Sequence, residues 1–96
     1  MKKNITDYHN DLDKVYLKIW ELLNSGLLNR DAPFHIPTFI CGEGKNFDGR
    51  MVVLRGVNEN NKNLWFHSDI RSKKIKILKN NPQAALLFYD KKEKVQ

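Results

Sequence analysis

Ninety-six residues, 41% of them hydrophobic and 29% charged, exclude an intrinsically disordered segment and leave room for one small domain with a modest core. A net charge of +6 points to anionic partners such as nucleic acid, acidic lipid headgroups or phosphorylated small molecules, without choosing among them. Cys41 is the only cysteine, which excludes an internal disulfide or a cysteine cluster for zinc and fits a reducing cytoplasm.

The basic start Met1-Lys2-Lys3 is followed by polar Asn4–Asp13 where an export signal needs an apolar stretch. The longest apolar run, Ala84–Tyr89, is far short of a membrane span, so no membrane partner is expected. Ile5, Tyr8, Leu12, Val15, Ile19, Leu22 and Leu23 recur mostly at steps of three and four. That spacing predicts an amphipathic helix over about 6–25 that lays Leu12, Val15, Ile19 and Leu22 on the core or on a partner subunit. Tyr16 and Trp20 widen the stripe, acids crowd the positive end of the helix dipole, and Asn24-Ser25-Gly26 supplies a stop. His9 falls on the polar side.

Two prolines and Asp31-Ala32 make 27–37 a connecting loop. His35 stands in it without a second ligand or a nucleophile at any recognisable spacing, so neither a metal site nor a triad is expected there. Thr38–Cys41 has strand composition, and Gly42–Asn46 is a turn. Gly42-x-Gly44 lacks the third glycine and the following helix of a nucleotide loop.

Arg50–Val57 is apolar on both faces, which predicts a central strand whose Arg50 and Arg55 need partners. A polar turn at 59–63 returns the chain in a second antiparallel strand, Leu64–Ser68. Asp69 and Ser72 are candidate caps of a short helix ending at Asn80-Asn81-Pro82, with Ile75 and Leu78 toward the core. Strands of a hairpin lie about 5 Å apart. If the helix folds back beside the hairpin, Arg50, Arg55, Lys73 and Lys74 therefore converge on one anion. The free amides and positive dipole end at Ser72-Lys73-Lys74 make that anion a phosphate. Ala84–Asp90 then reads as a buried strand, Lys91–Lys94 as a charged turn, and Val95-Gln96 as the first step of another strand.

Taken in order and spacing, RMVVLRG, LWFHSDIRSKK and NNPQAALLFYD resemble the FMN-binding split-barrel proteins related to pyridoxamine 5′-phosphate oxidase. The segment His35-Ile36-Pro37-Thr38 before the first strand is similar to that of the Alr4036-type subgroup. The resemblance runs from about Pro33 to Gln96. It implies an α+β chain, mainly β: an antiparallel split β-barrel over 38–96, preceded by the helix and loop, all in one domain. It further implies that Arg50, Met51, Val52, Val53, Leu54 and Arg55 run along an FMN. His67 and Ser68 would touch the flavin from the next strand, Ser72, Lys73 and Lys74 would hold its phosphate, and Gln96 would be directed at the flavin ring. Family members are similar in being homodimers with FMN at the subunit interface. Two departures stand out. Ser72-Lys73-Lys74 replaces Ser-Arg-Lys, which keeps the charge but loses a bidentate fork. Arg55 replaces a lysine that in the oxidases also reaches the substrate phosphate, so the substrate is an unknown small molecule, and no residue is assigned to catalysis.

The expected function is thus an FMN-binding protein, an oxidoreductase or the N-terminal part of one, in which the flavin performs electron transfer. A non-catalytic flavin-binding relic is the weaker form of the same reading. A rival class is a small nucleic-acid-binding β-domain, with Trp65, Phe66 and Tyr89 stacking bases beside lysines and arginines. Against it, those aromatics alternate into both faces of the sheet and the helix acids dilute the basic stripe. With about five strand segments and the fifth cut short, a barrel of this kind does not close within one subunit. The expectation is an open strand edge that pairs with a partner or with a continuation of the chain.

Overall fold

Asp11 starts the first helix. Its backbone is extended and its carboxylate accepts hydrogen bonds from the amides of Asp13 and Lys14, which satisfies two of the first-turn donors. The computed structural model describes residues 10–69 and 71–96; the start expected near Thr6, with Ile5, Tyr8 and His9, lies outside them. Helix α1 spans Leu12–Leu28 and so passes the expected stop at Asn24-Ser25-Gly26. Gly26 does not end the helix because its backbone has another use. A Cβ there would stand 2.7 Å from the backbone carbon of Phe34, so the glycine lets the loop Pro33–His35 lie directly on the helix. Asn29 caps the end, donating its amide to the Ser25 carbonyl.

The buried stripe of α1 is rotated from the expected one. Trp20, Leu23 and Gly26 are buried, whereas Leu12 is 86% exposed. Trp20 and Leu23 join Phe34, Leu54 and Val95 in one core, flanked by Ile19, Leu22, Val57 and Phe88. The Phe34 and Phe88 rings meet there at 5.0 Å. Lys18 pairs with Glu21 within the helix at 3.0 Å and ties the helix to the C-terminal turn through Glu93 at 3.7 Å.

Strand β1 (Thr38–Glu43) pairs antiparallel with β2 (Asn46–Met51) across a two-residue turn, Gly44-Lys45, and on its other side with β5 (Ala84–Leu87). Gly44 has φ +58°, the left-handed conformation that such tight hairpin turns require and that glycine adopts without penalty. The order is β2-β1-β5, with a separate two-stranded sheet of β3 (Gly56–Asn58) and β4 (Asn63–Trp65). Phe39 and Cys41, alternating on β1, bury with Ile77 into a second core that also takes Val52, Phe66, Leu78 and Leu86. The Phe39 and Phe66 rings lie 4.9 Å apart. The opposite sheet face carries Ile40, Phe47, Met51 and Leu87, all substantially exposed.

Three strand expectations are corrected by this topology. Arg50–Val57 is not one central strand: β2 is an edge strand ending at Met51, and β3 begins at Gly56 in another sheet. The run is apolar throughout because its residues serve different cores, Val52 the second, Leu54 and Val57 the first. The strand read at Leu64–Ser68 is β4, only Asn63–Trp65. The buried strand read at Ala84–Asp90 is an edge strand that stops at Leu87. Beyond it, buried Asp90 bridges to Val95 and accepts the Glu93 amide at 2.9 Å, closing the turn Lys91–Lys94.

Between β2 and β3 the chain is held by single bonds, two to the loop before β1 and one to the end of β4. The amides of Val52 and Leu54 donate to the carbonyls of Pro37 (3.0 Å) and His35 (2.9 Å), and that of Arg55 to Trp65 (2.9 Å). Helix α2 (Lys73–Asn80) packs on β1 and β2 and buries Lys74 and Ile77; of the expected core residues Ile75 and Leu78, both half-buried, Leu78 packs against the second core. Asn81, at its C-terminal cap, donates from its side chain to the Gly42 carbonyl at 2.8 Å. The result is a mixed α+β fold with two helices and antiparallel sheets that do not close among the described residues, as in an incomplete split barrel.

Candidate functional site

The break between β2 and β3 opens a cavity of about 580 Å³. Its floor is the backbone run Arg50–Val53 with Arg55; His67, Ser68 and Asp69 after β4 form one side, Lys74 of α2 another, and Ile36 the rim. The strand ends there because the ladder partner changes: β1 begins at Thr38 opposite Met51, and beyond it the Pro37 and His35 carbonyls take over as acceptors. Val52 and Val53 thereby line the same cavity.

Lys74 is the decisive side chain. It is 8% exposed, lines the cavity, and makes no ion pair among the described residues. Its stem is buried while its ammonium keeps contact with solvent, and, after the Arg71 hydrogen bonds, its charge helps to hold the Asp69 carboxyl low; an anion in the cavity gains a direct cationic partner there. Arg50 is partly engaged, its Nε lying 3.3 Å from both Asp48 carboxylate oxygens. Arg55 is exposed and makes no ion pair among the described residues. The one acid lining the cavity, Asp69, is already bound. Its carboxylate accepts from the Arg71 amide at 2.8 Å and from the Arg71 guanidinium at 3.2 and 3.0 Å. Those side-chain bonds first, then the backbone one, hold its carboxyl below the usual carboxylate range.

Ser72 occupies the N-cap of α2 with extended backbone but makes no side-chain bond to the first turn; its hydroxyl lies 3.4 Å from that of Ser68. The amides of that turn are left without a side-chain cap next to Lys74, an arrangement that favours an anion. Ser72 itself does not line the cavity; the three cations that do, Arg50, Arg55 and Lys74, stand with apolar Ile36, Met51, Val52 and Val53, which suits a phosphate attached to a largely apolar body.

The remaining residues singled out from the sequence lie elsewhere. Leu54 is 2% exposed in the first core and does not line the cavity. Lys73 points to a different depression, with Glu43, Asn46 and Lys76. Gln96 lines an apolar cavity of about 400 Å³ beside Trp20, Phe34 and Leu87. Conversely, Ile36 and Asp69 line the site and sequence reasoning did not select them; the segment His35-Ile36-Pro37-Thr38 was the available signal for the first. Of the three aromatics proposed for base stacking, Phe66 is taken up by the second core. Cys41 is buried, and burial first, then Asp48, pushes its thiol up despite the nearby Lys74, which disfavours the reactive thiolate. No group of metal-ligating residues occurs among the described residues, and none of their helices is long and apolar enough to cross a membrane.

An α+β chain with an open antiparallel barrel-type sheet and an anion-receptive cleft where one strand breaks belongs to the class of split-barrel ligand-binding proteins. Residues 21–96 match the family model described as pyridoxamine 5′-phosphate oxidase, FMN-binding domain, and the chain belongs to that family. No curated protein matches it.

Proposed function

We propose that this cavity binds FMN and that the protein is a flavin-dependent oxidoreductase, or part of one, acting on a small molecule. The observation that carries the reading is Lys74: a largely buried side chain without an ion pair among the described residues, lining a cavity of about 580 Å³, in a chain of an FMN-binding family. Lys74, Arg50 and the uncapped first turn of α2 hold the phosphate, while Met51, Val52, Val53 and Ile36 pack on the apolar part of the cofactor. When bound, the flavin supplies the electron transfer. The side chains of this chain bind it, orient it and exclude water from one side.

The test begins with the absorbance spectrum of protein purified without added cofactor, where bound flavin is expected. Fluorescence titration then compares FMN with riboflavin. Charge-assisted hydrogen bonds are each worth about 1.5–3 kcal/mol, so loss of the phosphate is expected to weaken binding by orders of magnitude. Equal affinity for the two flavins sinks the phosphate assignment.

The exposed sheet face of Ile40, Phe47, Met51 and Leu87 supports a homodimer, since contiguous apolar surface on a lone subunit is unfavourable. Sedimentation is expected to show a dimer that Met51→Lys dissociates. A monomer at every concentration tested refutes this part of the proposal.

A further inference from the structure

Two pairs of aspartate and arginine, each spaced two residues apart, border the cofactor cavity, and they face it in opposite senses. Arg50 lines the cavity while its partner Asp48 does not; Asp69 lines it while its partner Arg71 does not. The first pair brings a cation to an anionic ligand. The second brings an acid, which repels a phosphate unless its charge is cancelled.

Arg71 cancels it at close range. Asp69 Oδ1 accepts the Arg71 amide at 2.8 Å and Arg71 Nε at 3.2 Å, and Oδ2 accepts Arg71 Nη2 at 3.0 Å. The Asp69 carbonyl accepts the Ser72 amide at 2.9 Å, so the pair sits in the turn that leads into α2. The Asp69 and Arg71 side chains are 54% and 86% exposed, and an ion pair so open to water contributes little to stability. Its effect lies instead in what the cavity presents. With the pair closed, the charges facing a ligand are those of Arg50, Arg55 and Lys74. With the guanidinium gone, the Asp69 carboxylate stands against them.

We propose that Arg71, which does not itself line the cavity, is a positioning residue that sets the preference for a phosphate-bearing flavin by masking Asp69. This role rests on the FMN reading above and adds to it the residue that keeps the charge of the cavity wall of one sign. A phosphate ester carries about −1.5 to −2 charge at pH 7, so it feels an unmasked carboxylate. Riboflavin, which ends in a hydroxyl, does not.

Fluorescence titrations with FMN and with riboflavin, at low ionic strength where surface charges are least screened, compare the parent with Arg71→Gln, Arg71→Lys and the double variant Asp69→Asn, Arg71→Gln. Arg71→Gln is expected to weaken FMN binding about three- to tenfold, the effect of one charge on a dianion across a few ångströms of wet cleft. Riboflavin binding and the melting temperature are expected to stay unchanged. Arg71→Lys keeps the charge and is expected to retain most of the FMN affinity. The double variant, with no carboxylate left to mask, is expected to return to the parent's FMN affinity. The inference is overturned by an Arg71→Gln variant that binds FMN as tightly as the parent, by equal losses for the two flavins, or by a double variant as weak as Arg71→Gln, which makes Arg71 a phosphate ligand in its own right. A parent that binds no flavin removes the FMN reading and this role with it; a parent that binds FMN and is indifferent to Arg71→Gln removes this role alone.

Discussion

Lys74→Ala is expected to weaken FMN binding roughly 10- to 150-fold, the equivalent of one charge-assisted hydrogen bond, and to change riboflavin binding little. Lys73→Ala, one residue away, is expected to cost less than about fivefold, as for an exposed charge at a distance. The asymmetry follows from the rotational phase of α2. Lys74 is buried against the cavity, while Lys73 is exposed on another face of the helix. Lys74→Met keeps the aliphatic stem and the packing and removes only the charge, so it is expected to lose FMN affinity while keeping the melting temperature. Equal losses from Lys73→Ala and Lys74→Ala, or a riboflavin loss as large as the FMN loss, contradict the placement of the phosphate.

Gly26→Ala is expected to lower stability by about 1–3 kcal/mol, the usual range for overpacking. For a chain of this size that is a fall in melting temperature of roughly 4–8 °C per kcal/mol. This runs against helix propensity, which favours alanine over glycine in a helix interior by about 0.5–1 kcal/mol. Steric contact wins because the new Cβ meets backbone, the Phe34 carbon at 2.7 Å and its oxygen at 2.9 Å, and backbone cannot rotate away. The displaced loop also carries the His35 and Pro37 carbonyls that hold Val52 and Leu54, so FMN affinity is expected to fall together with stability. Leu12→Ala, at an 86% exposed position, is expected to stay within about 0.5 kcal/mol. Phe34→Ala is expected to cost about 3–5 kcal/mol. A Gly26→Ala variant that melts higher than the parent overturns this account.

Local rules made part of the fold legible. The Gly44-Lys45 hairpin and the amphipathic character of α1 follow from turn chemistry and periodicity, which act within a few residues. What was not legible depends on which surface comes to meet each element. Eight residues of α2 do not fix a rotational phase, so Ile75 with Leu78 and Lys74 with Ile77 were equally available stripes until β1 supplied Phe39 and Cys41 as partners. The break after Met51 was hidden because a run feeding two cores looks like one strand buried on both faces. Gly26 read as a stop because its role lies in a contact eight residues away. In the site, cations were visible as residue types, but only the fold brings Arg50, Arg55 and Lys74 to one cavity and leaves Lys73 at another.

The isolated bonds of Val52, Leu54 and Arg55 set an order of assembly. Both hairpins are local, one closed by two residues and the other by the turn at 59–62, and such units form within about 1–10 μs. The linking segment has no ladder of its own. It is fixed only when the loop carbonyls of His35 and Pro37 arrive from one side and Trp65 from the other, so the cofactor cavity is the last part of the molecule to acquire its shape. Hydrogen exchange on the protein without FMN then has its fastest bonded amides at Val52, Leu54 and Arg55, slower ones on β1, and a slowing at the first three when FMN is added, because a ligand that binds only the assembled form holds the joint closed.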